Sequence, residues 1–113
     1  MNIDNPTIKS HRFLAEMYRD NYFPDLLVKK GEAILRDLCM QIESQKPDDL
    51  DAFYSLTQQS TDRFNQLAEE FDDQGSEIET SARECIGEDF VFIAKAYGFE
   101  QSDPEELIAT RDW

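Results

Sequence analysis

Histidine, cysteine and glycine are all scarce in this chain, and each scarcity removes a class of chemistry. The only histidine among 113 residues is His11, so a serine or cysteine hydrolase triad has a single available base, and Ser10 and Ser44 sit in no nucleophile-elbow motif. His11 therefore reads as a surface or capping residue. No Glu-x-x-His pair occurs, which removes the carboxylate-bridged di-iron bundle. The two cysteines, Cys39 and Cys85, are far apart with no C-x-x-C spacing, so they suggest buried thiols rather than a disulfide framework or a zinc site. Four glycines, at 31, 75, 87 and 98, are too dispersed to form a phosphate-cradling loop, and no dinucleotide, Walker or EF-hand spacing is present. No cofactor is expected.

Other shortages bear on partners and location. The longest wholly apolar run, Phe90 to Ala94, is far below the ~20 residues of a spanning helix, so no membrane segment is expected. The N-terminus lacks the basic and apolar regions of a secretory signal, and Asn2 stands where myristoylation needs glycine, which points to the cytoplasm. Bases are outnumbered, with 11 Lys and Arg against 25 Asp and Glu and a formal net charge of -14. Nucleic-acid binding depends on cations that displace counterions from phosphates, so this balance opposes it.

What the chain does have is an uneven distribution of that charge. Residues 1–47 carry seven bases and seven acids, whereas residues 48–113 carry four bases and eighteen acids, which is the whole excess. No Pro/Gly/Ser-rich linker or internal repeat divides the two parts, so the asymmetry is read as polarity within one domain of residues 1–113.

Apolar residues recur at helical spacing between the few Gly and Pro. A first helix is predicted over about Lys9 to Asn21, and a second from Pro24 to about Ser44 with Gly31 inside its apolar arc. Gly31 costs a helix ~1 kcal/mol relative to Ala, which suggests close approach of another backbone. A third helix is predicted over Leu50 to Asp73, closed by Gln74-Gly75. Ser76-Glu77-Ile78-Glu79 matches a capping box for a fourth, reaching about Tyr97. Asp103-Pro104-Glu105-Glu106 opens a short last helix through Leu107 and Ile108 towards Trp113. The expected fold is all-α, a compact bundle of four to five helices.

Three sets of residues are candidates for function. Asp89 falls near the centre of the fourth helix's apolar face, and a buried carboxylate must be paired, hydrogen-bonded or protonated. Its expected partner is a Tyr, His11 or an Arg of another helix. Glu77, Glu84 and Glu88 form a stripe lateral to that face, either solvated or an electrostatic docking surface for a basic protein. Glu69, Glu70 and Asp73 offer carboxylates three or four residues apart, the spacing that holds Mg²⁺ through oxygen ligands. The run Glu69-Glu70-Phe71-Asp72-Asp73, with pairs Glu69/Asp72 and Glu70/Asp73, partly resembles the first metal motif of the all-α nucleotide pyrophosphohydrolases, but the required second acidic pair at spacing three is missing, and downstream only Glu84 and Glu88 lie four apart. Thr57, Ser60, Thr61 and Asn65 intrude into the third helix's apolar face, where small polar groups can bond to helix carbonyls. Gln58 lies on the opposite, solvated side.

Met17 to Pro24, Gly75 to Thr80 and Glu106 to Trp113 resemble a small family of bacterial single-domain proteins of unknown function, of about this length. The resemblance implies a bacterial, cytoplasmic origin and no activity. The leading functional expectation is a binding module, in its narrower form an immunity-like protein that occludes a basic toxin. The alternatives are a Mg²⁺- or Mn²⁺-dependent hydrolase using Glu69, Glu70, Asp73 and Glu84, and a structural protein that homodimerises through Tyr22, Phe23 or Trp113.

Overall fold

The computed structural model describes residues 3–113, and among them all regular structure is helical. Six helices follow one another: α1 Pro6–Lys9, α2 Ala15–Arg19, α3 Asp25–Gln45, α4 Leu50–Asp73, α5 Thr80–Ala96 and α6 Pro104–Leu107. The three long helices enclose the core, which centres on the fully buried rings of Phe53, Phe64, Phe71 and Phe90. None of the helices is long and apolar enough to cross a membrane.

Local signals set most boundaries. Lys46 ends α3 in the left-handed region at φ 49, Pro47 follows, and Asp49 caps α4 by accepting from the Ala52 N–H at 2.8 Å. Gly75 at φ 76 lets the Ser76 N–H reach back to the Phe71 carbonyl at 2.9 Å, and Gly98 at φ 84 lets the Phe99 N–H reach Ala94 at 2.8 Å. Both are the left-handed closures that glycine makes without steric cost. Asp103 caps α6 through the Glu105 N–H at 3.0 Å, with Pro104 at the first helical position.

Two expectations fail for a tertiary reason. Of the helix predicted over Lys9 to Asn21 only Ala15–Arg19 forms, as α2; α1 ends at Lys9, residues 10–14 are not helical, and Leu14 at φ 58 takes a left-handed conformation that α2 cannot extend through. The Ser76 to Glu79 capping box does not form. Ser76 instead closes the turn after α4, Ile78 turns into the core, and α5 begins at Thr80 with Glu79 as a cap that makes no side-chain bond.

The first described residues are fastened to the bundle by Glu43 near the end of α3. Its carboxylate accepts from the Asp4 N–H at 2.7 Å, the Asn5 N–H at 3.1 Å and the Tyr97 hydroxyl. Asn5 also caps α1 and donates to the Ala96 carbonyl at 3.0 Å. Burial pushes the Glu43 carboxyl up, but the Asp4 amide, Tyr97 and the Asn5 amide outweigh it and hold it below the ordinary value of 4.5. A group depressed in the folded state contributes stability above its unfolded pKa and loses it as pH falls through the folded value. Glu43→Ala should therefore cost about 1–2 kcal/mol at neutral pH, from the loss of hydrogen bonds to a charged acceptor. Urea titrations should show the difference from wild type shrinking below about pH 4; a difference independent of pH would refute the assignment.

Candidate functional site: a buried aspartate and an acid-rimmed groove

Helix α5 serves two sites from opposite flanks. Asp89 faces the linker between α1 and α2 and is 8% exposed. One carboxylate oxygen lies 2.8 Å from His11 Nε2, and the other accepts the Leu14 N–H at 2.7 Å. An ionised carboxylate can only accept, so the His11 nitrogen facing it is the protonated one. The imidazole is stacked on Phe92, with ring centroids 3.8 Å apart, and meets Phe13 edge-on at 4.7 Å. His11 is thus a half-buried partner of Asp89, one of the partners expected for that carboxylate, and not a surface or capping residue.

The other flank of α5 forms a groove with α6. Its floor is Gly87, Val91 and Phe92 from α5, with Pro104 and Ile108 from α6, and it encloses about 540 Å³. Phe92 belongs to both sites, lining the groove and stacking on His11. Glu84 and Glu88, one turn apart, line the groove's α5 edge, and neither makes an ion pair among the described residues. The adjoining arginines are engaged within the protein. Arg83 donates to the Trp113 carbonyl at 3.2 Å, and Arg111 donates to the Ile108 carbonyl and to Glu105 at 3.2 and 3.3 Å. Lys95, eleven residues beyond Glu84 and so about 16 Å along the helix, is the remaining cation of the lining.

The stripe of three glutamates is therefore divided. Glu77 precedes α5 and borders a different depression, beside Glu69, Asp72 and Asp112. The four candidate metal ligands are likewise not brought together. Glu70 pairs with Lys30, Glu69 borders Glu77's depression, Asp73 is exposed at the end of α4, and Glu84 lies in the groove. No three His, Cys, Asp or Glu side chains converge as a metal site among the described residues. Cys39 is buried as expected and Cys85 half-buried. Burial pushes the Cys39 thiol up to about 12 and raises that of Cys85, which suits packing groups and not nucleophiles.

Of the residues offered for homodimerisation, Phe23 is buried against Phe71 and Trp113 packs edge-on against Phe64, so neither ring is free. Tyr22, 44% exposed, and Leu26, 78% exposed, are the large apolar side chains at the surface.

Helical spacing carries little sign of α6's anchorage. Gln58, read as solvated, donates to the Glu106 carbonyl at 2.9 Å, and Asn65 both donates to the Thr110 carbonyl at 3.0 Å and accepts the Asp112 N–H at 2.9 Å. Thr61 bonds the Thr57 carbonyl in its own helix, as small hydroxyls were expected to do, and also reaches the Leu107 carbonyl. These polar side chains of α4 hold the wall of the groove in place.

A family model matches residues 7–113, spanning α1 to Trp113 and hence both flanks of α5. The chain belongs to DUF5713, a family of unknown function. No curated protein and no solved structure matches it significantly. The DUF5713 match covers the segments that carried the resemblance noted from sequence, and it assigns no activity to either flank of α5.

Proposed function

We propose that this DUF5713 protein is a cytoplasmic protein-binding module whose α5–α6 groove receives a cationic amphipathic helix of a basic partner. The observation that carries the reading is the pair Glu84 and Glu88, unpaired within the described protein, at the edge of an apolar floor. An apolar floor supplies the favourable desolvation, while the rim carboxylates favour a partner with Lys or Arg one turn apart and repel acidic ones. Helix-in-groove docking reads such a partner through apolar side chains at successive turns. The chain's excess of eighteen acids over four bases in residues 48–113 adds long-range attraction for the same partner. In its narrower form the partner is a basic toxin, and occupation of the groove neutralises it in an immunity-like manner.

Calorimetric titration with a synthetic Lys/Leu amphipathic helix tests the reading. Wild type should bind it, and Glu84→Gln with Glu88→Gln should weaken binding ~10-fold at low salt, an effect that added salt shrinks. Glu77→Gln, away from the groove, should leave affinity unchanged. Gly87→Leu places a side chain in the groove where a Cβ meets only Ile108 Cδ1 at 3.8 Å, so it should fold normally and block binding. Unaltered affinity in both the Gln pair and Gly87→Leu would overturn the proposal. So would a wild-type dimer in light scattering that Gly87→Leu dissolves, because the groove's occupant would then be a second copy.

A further inference from the structure

Beyond the groove, the flank of the bundle around His11 carries a second cavity with the opposite charge. It encloses about 300 Å³ between the α1–α2 linker, α2 and α3, and its charged lining is Arg12, Arg19, Arg36 and Glu32. Arg19 is neutralised by Glu16 beside it, so the Arg12 and Arg36 guanidiniums stand against the Glu32 carboxylate, a local excess of one positive charge in a chain of net -14. The cavity is built wholly from residues 11–36, within the part of the sequence whose charges cancel.

The side chains are held in place for this cavity. Arg36 lies over the Phe13 ring, 5.2 Å from its centroid, and commits Nε to Glu32 at 2.9 Å. Its terminal nitrogens have no partner among the described residues. Tyr18 donates to the other Glu32 oxygen at 2.7 Å, and burial, followed by that bond, pushes its phenol up to about 12, so the group stays neutral. Glu32 is thereby occupied by two internal partners. His11 spends Nε2 on Asp89, and its Nδ1 meets no protein group among the described residues. Arg12 is exposed and forms no ion pair there, while Arg19 pairs only with Glu16 at the open surface.

We propose that this cavity binds a small phosphomonoester, with Arg12 and the terminal nitrogens of Arg36 on the phosphoryl oxygens and the His11 ring at its edge. The terminal guanidinium nitrogens of Arg36 match two oxygens of one phosphoryl group, and Arg12 adds a second cation for its charge. The volume is at the small end of ligand sites, enough for a phosphoryl group with a short organic substituent. Ala15 and the ring of Tyr18 supply apolar surface for that substituent. The site stands apart from the groove reading, since its ligand contacts come from the linker, α2 and α3.

NMR titration of the intact protein tests it, following the His11 ring and the Arg Nε–H signals. Phenyl phosphate should shift His11 and Arg36 saturably, and inorganic phosphate should do so more weakly. Arg12→Ala, at an exposed position, should keep the fold and weaken phenyl phosphate ~10-fold, as expected for loss of one charge-assisted contact. Arg36→Lys keeps the charge over Phe13 but removes the fork, and should weaken it by a similar factor. Absence of saturable shifts at ~10 mM ligand, near the weak limit of specific binding, would overturn the proposal. Equal affinity in wild type and both variants would overturn it as well, and tighter binding of succinate than of phenyl phosphate would refute the ligand class.

Discussion

Replacing Asp89 with Ala should cost about 3 kcal/mol, leaving a folded but much weakened protein. The loss has two parts. The Leu14 N–H, now satisfied at 2.7 Å, would be stranded in the interior, and His11 Nε2 would lose its 2.8 Å partner. A buried donor left without a partner costs about 1–3 kcal/mol and the lost His11 bond adds to it, although His11 is 23% exposed and water relieves some of its share. Asp89→Asn should be milder, about 1–2 kcal/mol, because its carbonyl can still accept the Leu14 N–H while its amide faces a ring nitrogen that must change tautomer. Chemical denaturation gives the magnitudes, and hydrogen exchange locates them. The Leu14 amide should be protected in wild type and exchange rapidly in Asp89→Ala, ahead of amides in α4. An Asp89→Ala protein within ~0.5 kcal/mol of wild type would place Asp89 among ordinary surface residues and overturn this account.

The same residue marks how far the sequence could be read. Helical spacing identified α3, α4 and α5 and placed Asp89 on the buried side, because periodicity records which residues leave water. It could not reveal that the carboxylate reaches across to the N–H of Leu14, a residue at φ 58, since a long-range hydrogen bond leaves no periodic trace. The other oxygen of the same carboxylate makes His11 a half-buried partner instead of a capping residue. The acidic stripe was misjudged for a related reason. Spacing of seven and four puts Glu77, Glu84 and Glu88 on one face only if the helix already runs through Glu77, and the extended segment before Thr80 breaks that condition. The basic cavity was invisible because Arg12, Arg19 and Arg36 come from three segments, and a chain-wide charge of -14 conceals a local excess of the other sign.

Gly31→Val should destabilise by about 3 kcal/mol, the upper part of the range for overpacking a buried site. A Cβ at Gly31 would lie 2.9 Å from Leu14 Cδ1, 3.1 Å from Phe64 Cε1 and 3.5 Å from Leu67 Cδ2. Phe64 is itself wedged edge-on between Phe90 and Trp113, with centroids 6.0 and 6.1 Å away, so it has little room to retreat. Leu14 Cδ1 is the end of a flexible side chain, but Leu14 is buried and its backbone is held by Asp89, which narrows the rotations open to it. Gly31→Ala should consequently come out near neutral, the strain on Leu14 offsetting the ~1 kcal/mol that Ala gains in helix propensity. The decisive measurement is the coupling between the two sites. In the Asp89→Ala background Leu14 is released, so adding Gly31→Val should cost at least ~1 kcal/mol less than it does in wild type. Strict additivity of the two substitutions would show that Leu14 yields independently of Asp89, and would separate the close approach at Gly31 from the hydrogen bond that fixes the turn.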